Sequence, residues 1–207
     1  MAPDLVIFDC DGVLVDSEAL ENQLLVDMAG AHGLRVDAAE AHTLFVGRKL
    51  ADCVTHMERS AGRNLPASFI DDYRRELRVV VERQLKPVAG VRKALQAIAA
   101  CKCVASNGPR EKIAQALRVT SLAAFFEDRL FSAYDVKAWK PQPDLFLHAA
   151  AALAVAPPAC TVVEDSPLGI AAAAAAGMRV IAYEPAGNAV AGAITIKSMQ
   201  QLPALLA

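Results

Sequence analysis

The sequence predicts an α/β fold: a Rossmann-like parallel-sheet core with an inserted all-helical cap domain. Short apolar runs of buried-strand type recur along the chain, and from about Pro87 onward amphipathic segments alternate with them. Strands that alternate with helices usually pair in parallel, because each helix carries the chain back across the sheet. Between the first apolar run and Pro87 the apolar residues have helical spacing, which predicts a helical insertion.

Six apolar runs are the candidate strands. In chain order they are LVIF at 5–8, CVAS at 103–106, RLFS at 129–132, TVVE at 161–164, RVIAY at 179–183 and AITI at 193–196. The segment LKPVAG at 85–90 marks the return from the insertion. We therefore expect a core of residues 1–16 and 86–207 and a helical cap of residues 17–85. The alanine-rich run before Gly177 predicts a helix packed closely against the sheet, and Arg179 follows too soon for a membrane span.

Composition excludes several classes of partner. The chain has 207 residues, of which 55% are hydrophobic and 21% are charged, with a formal net charge of -2. Because no global basic field exists, we expect neither nucleic acid nor a membrane as partner. The five cysteines are scattered and odd in number, which predicts free thiols rather than disulfides or a zinc site. The start of the chain lacks a basic leader, so we expect a cytoplasmic protein, with a monomer as the default.

Two acids follow the first predicted strand. Asp9 and Asp11 are two positions apart, so on an extended chain their carboxylates project from the same side. Taken alone, the DCDG sequence is equally typical of a turn. Two carboxylates placed together are costly unless a cation or another donor compensates them.

Polar residues also follow three other predicted elements. Ser106 and Asn107 end one strand, Glu164 and Asp165 end another, and Lys140 precedes a predicted helix. Each has an ordinary alternative as a turn, a helix cap or an exposed lysine. The carboxyl ends of parallel strands meet at one edge of a sheet, however, and ligands bind there. We therefore expect these residues to form one site.

The chemistry of these residue types is mutually consistent. Three or four carboxylates at one edge form a hard oxygen site of the kind that Mg²⁺ prefers. A lysine and a small hydroxyl beside backbone N–H groups can hold a phosphoryl group. A carboxylate beside the cation can act as nucleophile, while a second acid protonates the leaving oxygen and then activates water.

The segments FDCDGVLVDSE, VASNG, KPQPD and VVEDS, in this order, resemble the four motifs of the haloacid dehalogenase-like hydrolase superfamily. The helical insertion after the first motif resembles the helical-cap branch, which includes β-phosphoglucomutase and phosphoglycolate phosphatase-like enzymes and many sugar-phosphate phosphatases. More narrowly, VASNGP and LFSAYDVKAWKPQPDLFLHAA are similar to bacterial 6-phosphogluconate phosphatase-like members. The resemblance implies a magnesium-dependent phosphatase that acts on a small phosphorylated metabolite through an aspartyl phosphate.

The resemblance also implies a role for each residue. Asp9 would be the nucleophile, and Asp11 would be the general acid and base with its backbone carbonyl on Mg²⁺. Ser106 and the Asn107 backbone would bind phosphoryl oxygens, and Lys140 would bridge the phosphoryl group and the nucleophile. Asp9, Glu164 and Asp165 would complete the magnesium site.

In the cap, Arg48 and Lys49 follow Gly47 and predict recognition of a distal carboxylate or phosphate, with two exposed charges as the alternative. Glu18 and Asn22, on the first cap helix, are further candidates to face the site.

Three other functions remain open from the sequence. A phosphomutase would share the nucleophile, but β-phosphoglucomutase carries a histidine where this chain has Glu21. A phospho-accepting receiver would lack the long helical insertion. A dehalogenase would need neither the acid at Asp11 nor a metal.

Overall fold

The computed structural model describes residues 2–34 and 50–207. Its core is a six-stranded parallel sheet with the strand order β3-β2-β1-β4-β5-β6. The strands are β1 (Leu5–Phe8), β2 (Cys101–Ser106), β3 (Leu130–Ser132), β4 (Cys160–Glu164), β5 (Arg179–Tyr183) and β6 (Ile194–Ile196). The predicted α/β class is confirmed. All six predicted runs contain strands, and the largest shift is at β2, which begins two residues earlier than its predicted start at Cys103.

Nine α-helices lie in the described residues. They are α1 (Glu18–Ala31), α2 (Leu50–Ala61), α3 (Phe69–Gln84), α4 (Val91–Ala97), α5 (Arg110–Val119), α6 (Ala133–Val136), α7 (Asp144–Ala152), α8 (Pro167–Ala175) and α9 (Leu202–Leu206). The first four fall between β1 and β2, and the others connect or follow the later strands. No helix in these residues is both long and apolar enough to cross a membrane.

The central strand β1 is buried on both faces. Val6 and Phe8 pack into one hydrophobic cluster, while Leu5 and Ile7 pack into a second cluster on the opposite face. Alternate residues of a strand point to opposite faces, so a fully apolar run is what this position requires. Complete burial of each large side chain contributes about 1.5–3 kcal/mol. The strand therefore gives a rigid base to the residues that follow it.

The strand order reverses between β1 and β4, which are adjacent in the sheet. Asp9, the first residue after β1, still donates its backbone N–H to the Val163 carbonyl of β4 at 3.0 Å. Open α/β sheets bind ligands outside the carboxyl ends of their strands at such a reversal. The topology therefore places the residues after β1 and β4 side by side where a ligand is expected.

The chain leaves and re-enters the core at neighbouring points. Asp16 donates its backbone N–H to the Lys86 carbonyl at 2.9 Å, and Val88 donates to the Leu14 carbonyl at 3.0 Å. These two crossings lie where the sequence predicts the cap boundaries. Hydrophobic contact continues across them, since Leu25 of α1 and Phe69 of α3 belong to the same cluster as Phe8.

The cysteines are free thiols, as predicted. Cys10, Cys53, Cys103 and Cys160 are buried, whereas Cys101 is exposed at the start of β2. Burial raises the pKa of the Cys103 thiol well above its ordinary value, which makes it a poor nucleophile. These side chains serve mainly as small apolar packing groups.

Candidate active site

Asp9 and Lys140 form the centre of the site. Asp9 is only 8% exposed and Lys140 only 6%, and Lys140 Nζ lies 2.5 Å from Asp9 Oδ1. The same ammonium group lies 2.6 Å from Glu164 Oε1. The backbone N–H of Lys140 donates to Asn107 Oδ1 at 3.0 Å, which fixes the loop that carries the lysine. The lysine is therefore held between the ends of β1 and β4.

Glu164, at the end of β4, is fully buried and saturated with donors. Its Oε2 accepts hydrogen bonds from the backbone N–H groups of Asp165 and Ser166 and from the Ser166 hydroxyl, at 2.9–3.0 Å. Gly169 of α8 approaches so closely that a Cβ there would overlap the Glu164 carboxylate. Because its oxygens already have protein partners, Glu164 acts here as a brace for Lys140.

Three carboxylates approach each other closely enough to share a cation. Oxygens of Asp9, Glu164 and Asp165 all lie within 4.8 Å of one another. Gly12 makes room for Asp165: a Cβ at Gly12 would overlap its carboxylate, and φ of +77° favours glycine there. The Asp11 carboxylate is not in this group. The sequence prediction assigned Asp11 to the metal through its backbone carbonyl, so its side chain stays available for another role.

The electrostatics of the acids favour a cation. Burial raises the pKa of Asp9 to about 7; Lys140 opposes this effect, whereas Glu164 and Asp11 reinforce it. Burial likewise raises the pKa of Asp165 well above its ordinary value, and Glu164 and Asp9 add to the shift. One lysine does not offset three adjacent carboxylates, two of which are buried, so a divalent cation fits this oxygen donor set.

Ser106 lies at the end of β2 and is buried. Its hydroxyl accepts a hydrogen bond from the Gly108 backbone N–H at 3.1 Å. The Gly108 carbonyl in turn accepts from the Ser132 hydroxyl at 2.7 Å. These bonds order a turn whose hydroxyl lines the same cavity as Lys140, and its predicted role in binding a phosphoryl group stays a prediction. The Asn107 side chain instead braces the lysine loop.

Asp11 lies in a separate polar cluster that also includes part of the cap. Ser17 Oγ donates to Asp11 Oδ1 at 2.6 Å, and Lys112 Nζ donates to Asp11 Oδ2 at 2.9 Å. Lys112 also lies 2.7 Å from Glu21 Oε1 on α1. Burial alone would raise the pKa of Asp11, but Lys112 and the Ser17 hydrogen bond outweigh it and lower the pKa. For Glu21 burial prevails, and its pKa rises to about 7.

A cavity of about 450 Å³ joins these groups. The predicted residues that line it are Asp9, Asp11, Ser106, Asn107, Lys140 and Asp165, together with Glu18 and Asn22 of the cap. Arg48 and Lys49 lie outside the described residues. The cavity has the size of a small-molecule site.

Sequence reasoning missed several cavity residues. Lys112 could have been found from helical register, because it lies in the first turn of a helix that begins just after the end of β2. Tyr73, Arg74 and Arg78 of α3 and Tyr134 of α6 also line the cavity. Nothing in the sequence around the three α3 residues indicated which face of that helix meets the core.

A sequence model of the haloacid dehalogenase-like hydrolase family matches residues 3–177. The chain belongs to this family. A 6-phosphogluconate phosphatase from Escherichia coli is 35% identical over 181 residues, which cover 87% of this chain and 82% of that protein. The family membership predicted from the four motifs is confirmed, and with it the chain's identity as a hydrolase.

Solved structures of the haloacid dehalogenase-like family agree with the fold. A conserved family member of unknown function from Agrobacterium tumefaciens is 37% identical with a TM-score of 0.85, covering 98% of this chain and 97% of that one. A family hydrolase from Deinococcus radiodurans, solved with bound phosphate and sodium, is 28% identical with a TM-score of 0.80, covering 100% and 96%.

Proposed function

We propose that this protein is a magnesium-dependent phosphatase that hydrolyses a small phosphorylated sugar or sugar acid through an aspartyl-phosphate intermediate. The observation that carries the proposal is the buried contact of Lys140 with Asp9 and Glu164, at the end of a cavity that also contains Ser106 and Asp11. The similarity to the 6-phosphogluconate phosphatase makes 6-phosphogluconate the first candidate substrate.

Asp9 is the nucleophile in this proposal. One of its carboxylate oxygens forms a bond to phosphorus as the bond from phosphorus to the leaving oxygen breaks. Lys140 contacts Asp9 directly and compensates the charge of the transferring group. Ser106 and the backbone N–H groups that follow it donate to phosphoryl oxygens. Preorganised donors of this kind need no rearrangement as charge develops, which is why they lower the barrier.

Asp11 moves the proton. Its carboxyl group must be protonated before the first step, against the lowering of its pKa by Lys112 and Ser17, and it then gives this proton to the leaving oxygen. The resulting carboxylate takes a proton from water in the second step, when the bond between Asp9 and phosphorus breaks. Ser17 and Lys112 hold one oxygen each, so the carboxylate has a fixed direction. A fixed orientation is needed because general acid–base catalysis requires the carboxyl group to lie within hydrogen-bond reach of the leaving-group oxygen.

Asp9 and Asp165 would hold Mg²⁺, together with the Asp11 backbone carbonyl, and Glu164 would act through Lys140 and water. When bound, the cation supplies charge stabilisation to the phosphoryl oxygens and neutralises the acids. Two observations support this assignment. Oxygens of Asp9, Glu164 and Asp165 lie within 4.8 Å of one another, and the pKa values of Asp9 and Asp165 are raised.

The test is a phosphate-release assay with Mg²⁺ over a panel of phosphorylated sugars, sugar acids and nucleoside monophosphates. We expect turnover by the wild-type protein, none by Asp9→Asn, and a loss of about 10²–10⁴-fold for Asp11→Asn. Near-normal hydrolysis by Asp9→Asn, with deamidation excluded by mass, contradicts the mechanism. Isomerisation of β-glucose 1-phosphate without phosphate release, in the presence of a bisphosphate primer, would instead identify a mutase.

A further inference from the structure

The cations that line the cavity fall into two kinds. Among the described residues, the basic side chains in the lining are Lys112, Lys140, Arg74 and Arg78. Each lysine is held between two acids: Lys140 contacts Asp9 and Glu164, and Lys112 contacts Asp11 and Glu21. The two lysines are therefore both tied to acids of the phosphoryl-transfer site. Arg74 and Arg78 are not held between two acids in this way, so they can bind a second anionic group of a ligand.

Arg74 and Arg78 lie four residues apart on α3, so their side chains are neighbours on one face of the helix. Arg74 has one acidic partner, Asp71, at 3.7 Å, and the Asp71 side chain is 81% exposed. An ion pair so open to water contributes little and is easily exchanged. Arg78 has no ion-pair partner among the described residues. The pair of guanidinium groups is thus available to a ligand.

The core holds this face of α3 in place. Gln115 of α5 donates to the Arg78 backbone carbonyl at 2.9 Å and to Glu82 at 3.2 Å. Arg118, also on α5, lies 2.5 Å from Glu82. Because α5 begins just after β2, these contacts fix the arginine face relative to the strand end that carries Ser106.

A second contact orients Arg74 across the cavity. Its Nη2 donates to the hydroxyl of Tyr134, on α6 of the core, at 3.4 Å. The Tyr134 ring packs edge-on against Trp139, which limits its movement. The Arg74 guanidinium group of α3 is therefore directed towards Tyr134 of the core, and both residues line the cavity.

We propose that Arg74 and Arg78 bind a second anionic group of the substrate, a carboxylate remote from the phosphoryl group, and thereby select phosphorylated sugar acids over neutral sugar phosphates. The proposal rests on the proposed function for the position of the phosphoryl group beside Asp9. Arginine suits this role, because its planar fork donates two parallel hydrogen bonds to a carboxylate.

The test uses two ligands that differ only in the terminal group: 6-phosphogluconate, which ends in a carboxylate, and glucitol 6-phosphate, which ends in a hydroxymethyl group. Their dissociation constants are measured by calorimetry with Mg²⁺ on the Asp9→Asn protein. We expect the carboxylate ligand to bind more tightly. Arg74→Gln or Arg78→Gln should weaken its binding about tenfold and leave glucitol 6-phosphate unchanged.

Arg83→Gln is the matched control, since Arg83 is an exposed arginine of the same helix outside the cavity lining, and it should change neither constant. Arg74→Lys keeps the charge without the fork and should give an intermediate loss. Melting temperatures confirm that each variant folds.

The proposal is overturned if both ligands bind equally, if neither binds, or if the glutamine variants weaken both ligands to the same extent. Binding needs no turnover. Absence of phosphate release by the wild-type protein would therefore contradict the proposed function, while the ratio of dissociation constants would still test the arginines.

Discussion

Lys112 connects Asp11, which we propose transfers the proton, to Glu21 of α1, and its contribution can be separated from that of the proposed nucleophile Asp9. Lys112→Met removes the donor that holds Asp11 Oδ2. We expect kcat for a sugar phosphate to fall by at least about tenfold, because its leaving alkoxide needs a well-placed proton. With p-nitrophenyl phosphate, whose leaving group departs as a stable anion, the loss in kcat should be much smaller.

Glu21→Gln is the control for this experiment, because it removes the charge of the cap partner but leaves the contact between Lys112 and Asp11. It should affect kcat less than Lys112→Met with either substrate. Equal losses of kcat for the two substrates in Lys112→Met would show that the lysine does not act through proton transfer.

Gly12 offers a second test at the scale of single residues. Gly12→Ala places a Cβ against the Asp165 carboxylate and strains a residue with φ of +77°. Gly192 has the same φ with open space around it, so Gly192→Ala is a matched control. Each change should lower the free energy of unfolding by about 1–2 kcal/mol. Only Gly12→Ala should raise the Mg²⁺ concentration that gives half-maximal activity; equal Mg²⁺ dependence would contradict the assigned site.

Helix α8 packs against strands β4 and β5 of the sheet with one buried face. Ala173 is fully buried, whereas Ala174 is exposed on the same helix. Ala173→Leu should therefore lower the free energy of unfolding by about 1–3 kcal/mol through overpacking. Ala174→Leu should change it by less than about 0.5 kcal/mol. Urea unfolding measures both, and equal effects would contradict the close packing.

The elements also explain what the sequence could predict. Short apolar runs identified all six strands of the described residues. The clearest is β1, which is buried on both faces and has no polar position. The acids after β1 and β4 and the residues after β2 could be grouped, since a parallel sheet brings its strand ends to one edge. No local sequence pattern determines the order of the strands in the sheet. The site residues could still be grouped, because this prediction requires only that the strand ends share one edge.

The cap residues could not be predicted in the same way. Helical spacing identified α1 and α3, but it does not determine how an inserted helix turns towards another layer. The contacts of Gln115 and Arg118 with α3 decide that Arg74 and Arg78 meet the cavity. Lys112 was not predicted for a simpler reason. The prediction considered only residues directly at strand ends, and Lys112 lies in the first turn of α5, the helix that follows β2.

At the scale of the molecule, cap and core act as two walls of one cavity. They share a hydrophobic cluster, and Lys112 links Asp11 of the core to Glu21 of α1. In the proposed function, a cavity between two layers limits the access of water to the bound phosphoryl group and strengthens the charge interactions around it. A division into residues 1–16 with 86–207 and residues 17–85 is consistent with the paired crossings at Asp16 and Val88.

The central claim is that the phosphoryl group passes through Asp9. The most direct measurement is acid quenching of the Asp11→Asn protein during reaction with p-nitrophenyl phosphate and Mg²⁺, followed by mass spectrometry of its peptides. Because this leaving group needs no proton, the substitution slows mainly the second step. The slowed second step should let a hydroxylamine-sensitive phosphoryl adduct accumulate on Asp9. If the protein releases phosphate and the adduct is on another residue, or no adduct forms in any quench of a reacting sample, the account is contradicted.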